Sequence, residues 1–443
     1  MQGILSLRGF TDDILRENWA HTMRETPSPP RKGEDTEEEE APPVVANHLY
    51  GALAWLCCLA AKGQHGVMDA SPLKAAIDSK TSAFHGSRQQ DAHEFWCQVV
   101  THLEAEMLPR ARAAYDRLQR SGHGASIEPA EEASGLVPTT RHFKAIVQRQ
   151  LSCLSCGACT RSDEEYTDFS LDLPDSDAPI SLQTLVGGFF SAHEYVDRAC
   201  GACTVGQRAG LRRQLGSRPQ ALVLHAKRFK YGDGGSAKIA TKVLAPIVLD
   251  LSGLATATAR EAPMLHLDLG RKIDSIEQLA DLGFNPVATS CDDDTDESDE
   301  ELALAVQRSM EGAEPTPERC PDCSSTGLCK ACIDAVIAGL FGGGGELPVS
   351  VDSETVEPEA QEVDLTAAQP MPQGASRFGY RLTGVVRHVG VAARMGHYIA
   401  DVRVAGGNSW ERRNDADVSC ISEDEVVRAC PDSYLFFYSL ALD

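Results

Sequence analysis

Eight of the fifteen cysteines in this 443-residue chain fall in four Cys-x-x-Cys pairs, a spacing that chance placement rarely produces. Cys153-x-x-Cys156 and Cys200-x-x-Cys203 are separated by 43 residues of strand-like and loop-like sequence. Each such knuckle offers two thiolates at the corner of a tetrahedron, and Zn2+ accepts four without geometric strain. The two pairs therefore predict a structural zinc site that ties together two β-hairpins lacking a core of their own. Cys159 is a spare donor nearby, and unmetallated buried thiols are the alternative reading. A second cluster, CPDCSSTGLCKAC, carries Cys320, Cys323, Cys329 and Cys332. Its gap of five residues is tight for one ion, although Gly327 can make the turn. Metal binding there and inert or redox-labile thiols are equally weighted.

The first residues, MQGILSLRGFTDDIL, have no basic stretch, apolar stretch and cleavage site of the kind that makes a secretory signal. Cysteine richness without such a signal points to metal or thiol chemistry in a reducing compartment, cytoplasmic and/or nuclear, rather than to a disulfide framework. The stretch reads instead as the middle of a helix: Ile4, Leu5, Leu7, Phe10, Ile14 and Leu15 are apolar, with Thr11-Asp12-Asp13 expected to cap a new helix. No apolar run is long enough to span a membrane. Forty-one basic against 65 acidic residues give a net charge of −24, which argues against a nucleic-acid-binding surface and favours a basic partner.

Length allows about three domains. Up to about residue 115 the pattern is helical, with helices expected over 46–62 and 87–108 and a start signal at Ser71-Pro72. A segment rich in Pro and Glu, Pro27 to Pro43, reads as disordered linker, and so does the acidic run Asp35 to Glu40 within it. From His142 the pattern changes to strands: HFKAIVQRQLSC, TDFSLDLP and QALVLHAKRFKY. Residues 253–376 read as an insertion. Strand patterns return in YRLTGVVRHVG, GHYIADVRV and SYLFFYSL, so strands on both sides of the insertion are expected in one sheet.

Within the insertion, SDEELALAVQRSMEG opens with Ser298 three residues before Glu301, a capping box with acidic residues at the favourable end of the helix dipole. Leu302, Ala305, Val306 and Ser309 form one narrow face whose Ala and Ser let another surface approach closely. This pattern resembles the ubiquitin-interacting motif, over about 298–312. Upstream, DSIEQLADLGFNP has a faint similarity to the first helix and loop of a ubiquitin-associated domain, but it reads better as an ordinary amphipathic helix. MGHYIADV places His397 at the start of a strand after a glycine, and Asn414 and Asp415 follow seventeen and eighteen residues later. A hairpin of that length brings an imidazole within reach of an Asn or Asp side chain. That partner would fix the ring tautomer so that the free nitrogen can deprotonate a thiol. A strand histidine satisfied in a structural role is the plainer reading of the pair alone.

QQDAHEF (Gln89 to Phe95), the first two Cys pairs, DFSLDLP, ALVLHAKRF, VVRHVG, GHYIADV, the Trp410-to-Asn414 spacing and SYLFFY occur in an order that resembles the ubiquitin-specific protease family. The likeness is strongest to the subgroup with ubiquitin-interacting motifs inside its catalytic domain. The resemblance implies an α+β fold of the papain-like cysteine protease superfamily, shaped as a hand. Its expected parts are a helical thumb (1–135), zinc-ribbon fingers (140–215) and an antiparallel β palm (216–252 and 377–443). It implies His397 as general base, Asn414 as the residue orienting it with Asp415 beside it, and Asp91 and Glu94 as acids that hold the ubiquitin tail. Gly396 would keep the approach to the scissile bond open. Leu302, Ala305 and Ser309 are the implied ubiquitin contacts of the insertion. The zinc would be structural, the partners ubiquitin and ubiquitinated proteins, with no nucleic acid or membrane, and the chain a monomer.

MQGILSL is similar to the continuation of the family's nucleophile motif, which places the expected catalytic Cys two residues before Met1. The resemblance thus implies a deubiquitinase that needs that upstream thiol. A catalytically inactive ubiquitin-binding pseudoprotease or scaffold is the alternative, disfavoured because His397, Asn414 and Asp415 are retained together. A zinc-ribbon scaffold unrelated to ubiquitin would treat every ordered motif as coincidence. Cys57, Cys58 and Cys97 lie inside expected helices and read as packing residues.

Overall fold

The computed structural model describes residues 1–16, 19, 23, 49–62, 68–86, 89–120, 134–191, 194–232, 235–261, 270–282, 284, 379–392, 395–404 and 407–441. All six apolar residues of the opening stretch are buried. They belong to two short helices, α1 (Gln2–Leu5) and α2 (Arg8–Ile14). The cap expected at Thr11-Asp12-Asp13 is overturned, because these residues lie inside α2. The chain turns at Leu7, and the Thr11 hydroxyl donates to the Arg8 carbonyl at 3.1 Å instead of accepting from an unpaired helix N–H.

Next come α3 (Leu49–Ala61), α4 (Ser71–Asp78), α5 (Ala92–Arg120) and α6 (Pro138–Phe143). The α3 helix is apolar nearly all round and forms the middle of the helical part, as a helix without a polar face must. The α5 helix starts at Ala92 rather than Ser87 because Asp91 caps it. One carboxylate oxygen of Asp91 accepts the N–H groups of His93 and Glu94 at 2.8 and 2.9 Å.

Two large sheets carry most of the rest, beside two small two-stranded ones among the described residues. In the first, β1 (Ala145–Cys153) pairs with β2 (Cys159–Tyr166) on one edge and with β5 (Arg208–Arg218) on the other, and β4 (Glu194–Asp197) pairs with β5. The second sheet has eight strands: β3 (Phe169–Asp172), β6 (Ala221–Lys227), β7 (Val248–Asp250), β9 (Gly379–Ala392), β10 (Met395–Arg403), β11 (Trp410–Asn414), β12 (Asp417–Ile421) and β13 (Ser433–Leu440). Their order is β12-β11-β10-β9-β13-β6-β3, with β7 also on β9. Strands from both sides of the insertion therefore share one sheet, as the sequence pattern predicts. The continuous apolar run of β13 follows from its position, since both its faces are covered. Leu435 and Phe437 face the helices, while Phe436 and Tyr438 face α7 (Leu182–Ser191) and the finger strands.

The structure moves the start of the insertion. Residues 255–261 form β8 (Ala255–Glu261), a parallel edge strand on β5. Ile273, Leu279 and Phe284 are buried in the helical core, where Leu279 comes from α8 (Ile276–Asp281), capped by Ser275. The strip DSIEQLADLGFNP is thus one short amphipathic helix packed on α3, the reading favoured over a ubiquitin-associated domain. The candidate ubiquitin-interacting residues Leu302, Ala305 and Ser309, the cluster Cys320, Cys323, Cys329 and Cys332, and the linker Pro27 to Pro43 lie outside the described residues.

Candidate functional site

β10 and β11 pair antiparallel from Ala400↔Arg413 to Arg403↔Trp410, and His397 and Asn414 lie just beyond the open end of this ladder. There the two side chains meet, with His397 Nε2 hydrogen-bonded to Asn414 Oδ1. A carbonyl oxygen only accepts, so Nε2 carries a proton, and in the neutral ring Nδ1 is the nitrogen with the lone pair. The Asp415 carboxylate stands 3.7 Å from the same nitrogen and is largely exposed. Asp415 has a φ of +50°, in the left-handed region that Asp tolerates, and opens the turn into β12.

The opposite side of the site is the start of α5. The Gln89 side chain is doubly paired with Gly396: its amide N–H donates to the Gly396 carbonyl, and the Gly396 N–H donates to Gln89 Oε1 at 2.8 Å. The Ala92 N–H donates to the Tyr398 hydroxyl at 3.4 Å, and the Tyr434 hydroxyl donates to the second Asp91 oxygen. The residues on either side of His397 are thus each tied to the helix start. A cleft of about 410 Å³ opens between these parts, lined by Met1, Gln2, Asp91, Trp96, Tyr398 and Asp415 among others. Both Asp91 oxygens are engaged within the protein, whereas Glu94 is exposed. At Gly396 a Cβ would lie 2.4 Å from His388 Nε2 and 2.8 Å from the Val389 carbonyl. Close packing against His388 therefore requires glycine here, whatever passes along the cleft.

Beneath the site, Asp401 is completely buried between two guanidinium groups. Arg387 reaches it at 2.7 Å, and Arg412 donates twice, at 2.7 and 3.0 Å. Arg387 also binds Ser433 Oγ at 3.0 Å, which joins β9, β10, β11 and β13 behind the His397–Asn414 pair. Sequence reasoning missed Gln89, Tyr398, Tyr434 and Asp401 as supports of the site. The available signals were the Gln within QQDAHEF and the one acidic residue of the strand MGHYIADVR.

In the fingers, Cys153 and Cys156 sit at the β1–β2 tip, and Cys200 and Cys203 lie in the connection from β4 to β5. Cys153 and Cys203 Sγ are 3.9 Å apart and Cys156 and Cys200 Sγ 3.8 Å, and all four lie within 4.8 Å of one another. A zinc tetrathiolate with bonds of about 2.3 Å has sulfur–sulfur edges of about 3.8 Å. Backbone N–H groups of Ala202 and Gly206 point at Cys200 and Cys203, each at 3.4 Å. The N–H groups of Cys156 and Ser155 hold the Cys153 thiol down at about 6. A Cβ on Gly206 would intrude to 2.4 Å from Cys153 Sγ. These four cysteines fit zinc. Cys159 stands apart from the group, 3.1 Å from Ser152 Oγ. Cys57 and Cys58 are packing residues whose thiols burial pushes up, that of Cys58 to about 11. Cys97 packs against the helical core as expected, but it is half-buried and its thiol also faces His93 and Asp168.

A family model described as ubiquitin carboxyl-terminal hydrolase matches residues 1–438. Among curated proteins, human ubiquitin carboxyl-terminal hydrolase 37 is 27% identical over 248 residues, covering 54% of this chain and 25% of that protein. Ubiquitin carboxyl-terminal hydrolase 4 of Arabidopsis thaliana is 27% identical over 203 residues, covering 43% of this chain and 55% of that protein. The chain thus spans about a quarter of the human relative and half of the plant one. Among solved structures, a SAGA DUB module of Ubp8, Sgf11, Sus1 and Sgf73 bound to monoubiquitin matches at 17% identity with a TM-score of 0.48, over 89% of this chain and 59% of that one.

Proposed function

Because this chain belongs to the ubiquitin carboxyl-terminal hydrolase family, and within it to the ubiquitin-specific proteases, we propose that it is the catalytic region of a cysteine deubiquitinase. The observation that carries this reading is the His397–Asn414 hydrogen bond at the edge of the cleft. With the proton fixed on Nε2, Nδ1 is the nitrogen free to take a proton from a thiol. The thiol is the one expected two residues before Met1, and Met1 and Gln2 line the same cleft as Asp415. The thiolate attacks the carbonyl of the C-terminal Gly of ubiquitin, protonated His397 releases the lysine amine, and water resolves the thioester.

Glu94 and Asp91 hold the basic tail of ubiquitin, with Glu94 the more available of the two. Asp91 contributes chiefly by capping α5 and holding Tyr434. Leu302, Ala305 and Ser309 provide a second ubiquitin contact through the ubiquitin-interacting motif. Cys153, Cys156, Cys200 and Cys203 hold a structural Zn2+ that fastens the two finger hairpins, and the 320–332 cluster is a candidate for a second ion. Protein of this kind works as a monomer in the cytoplasm and/or nucleus.

The test uses protein expressed with the residues encoded upstream of Met1. It should hydrolyse a ubiquitin–aminocoumarin conjugate. His397→Ala should lower kcat by roughly 10²- to 10⁴-fold while the Kd for ubiquitin stays near that of the parent. A protein that binds ubiquitin with no turnover would be the inactive binder, and parallel loss of binding and turnover would remove His397 from the role of base.

A further inference from the structure

Among the described residues, one cluster of metal-ligating side chains lies outside both the cleft and the finger cysteines. His93 and Cys97 are four residues apart on α5 and therefore share a face of the helix. Asp168 lies in the bend between β2 and β3 and reaches the same point from the palm. His93 Nε2 is 2.8 Å from Asp168 Oδ2 and 3.5 Å from Cys97 Sγ, and Cys97 Sγ is 3.9 Å from Asp168 Oδ1. All three groups are partly buried. The His93 ring is stacked on that of His225, with centroids 3.8 Å apart and planes 17° from parallel, which fixes where Nε2 points. The His225 ring is in turn tied to Ser170 at 2.8 Å.

A Cys, a His and an Asp suggest a catalytic triad, but this geometry excludes one. A triad places the thiol and the carboxylate on opposite nitrogens of the imidazole. Here both face Nε2, which has a single proton or a single lone pair to offer. Three donors aimed at one point are instead the arrangement of a coordination site. A tetrahedral zinc with nitrogen and oxygen bonds of about 2.0–2.1 Å and a sulfur bond of about 2.3 Å has ligand–ligand edges of about 3.3 to 3.6 Å. The N–S edge matches, and the other two edges need shifts of roughly half an ångström in the Asp168 side chain. One dication would also neutralise a thiolate and a carboxylate together with a neutral imidazole.

We propose that His93, Cys97 and Asp168 bind a Zn2+ ion, separate from that of the fingers, with the fourth position open to water. The ion would pin the first turn of α5 to the edge of the palm. Asp91 caps that turn, and Gln89 just before it is bonded to Gly396, so the site lies close behind the contacts that support His397.

The experiment is a metal count on the purified, zinc-supplied chain by plasma mass spectrometry, beside Cys97→Ser and Asp168→Asn. Each variant should hold one fewer zinc per chain than the parent. After replacement by Co2+, the parent-minus-variant spectrum should show a thiolate-to-cobalt charge-transfer band. Equal metal content and superimposable cobalt spectra in folded variants would overturn the site. Should either substitution prevent folding, the unsubstituted chain still gives an answer. Zinc returned to gently chelated protein should slow iodoacetamide labelling of Cys97, mapped by peptide mass spectrometry, and identical labelling with and without the metal would overturn it.

Discussion

At the scale of single residues, the site depends on which atoms are left with a free lone pair. Asn414 decides that for His397, and Asn414→Ala should reduce kcat by a smaller factor than His397→Ala while leaving KM near the parent value. A kcat equal to the parent's would remove Asn414 from the positioning role. His388, one strand away, poses a different constraint. Its ring is completely buried against Phe229 and Tyr398, and neither nitrogen has a hydrogen-bond partner among the described residues. Burial pushes its pKa below the ordinary value, with Lys238 adding to the effect and Asp432 and Asp91 opposing it. The unfolded chain therefore binds a proton below about pH 6.5 that the folded chain resists, so stability is full above that pH and falls on acidification. Denaturant unfolding from pH 7 to roughly 5 should give a steeper decline for the parent than for His388→Phe, and equal slopes would refute the assignment. His397 and Asn414 could be read in the sequence because one hairpin separates them. The Gln89–Gly396 pairing could not, because it joins residues 307 positions apart and leaves no local pattern.

At the scale of elements, close approach does much of the positioning. A Cβ on Gly3 of α1 would lie 2.2 Å from a ring carbon of Phe437 in β13. Gly3→Ala should therefore cost about 1–3 kcal/mol, measured by denaturant unfolding, through displacement of α1 from the palm. A cost near zero would mean the helix can shift freely. Asp401→Asn leaves two guanidinium groups facing a neutral amide in a buried site and should cost roughly 3–5 kcal/mol. Large apolar residues announced the palm strands, and SYLFFYSL shows why: it is buried on both faces. Small residues concealed β8, whose ATATARE carries no large apolar side chain to mark an edge strand. Thr11 is no cap, although Ser, Thr and Asp favour caps on average, because a hydroxyl bonded back to Arg8 fits a helix interior equally well.

Across the whole molecule, the two sheets answer to different forces. The palm and helices share extensive apolar cores, whereas the outer part of the finger sheet has a small cluster of Leu151, Ala209 and Leu211. Metal ligation is the natural substitute for such a core. Cys153→Ser should accelerate amide exchange in β1, β4 and β5 and leave β9, β10 and β13 close to the parent. Uniform acceleration would make the fingers part of one cooperative unit instead. The order of motifs gave away the hand-like plan, but not where the insertion starts, because Ile273, Leu279 and Phe284 join the helical core only through the tertiary fold. In the proposed mechanism, the cleft beside His397 and Asn414 serves a thiol that attacks the C-terminus of ubiquitin. It is tested most directly by treating protein that includes the residues encoded before Met1 with ubiquitin carrying a C-terminal propargyl warhead and mapping the adduct. A single ubiquitin adduct is expected, on a Cys two residues before Met1. An adduct on Cys57, Cys58, Cys97 or a finger cysteine, or none while ubiquitin still binds, would contradict it.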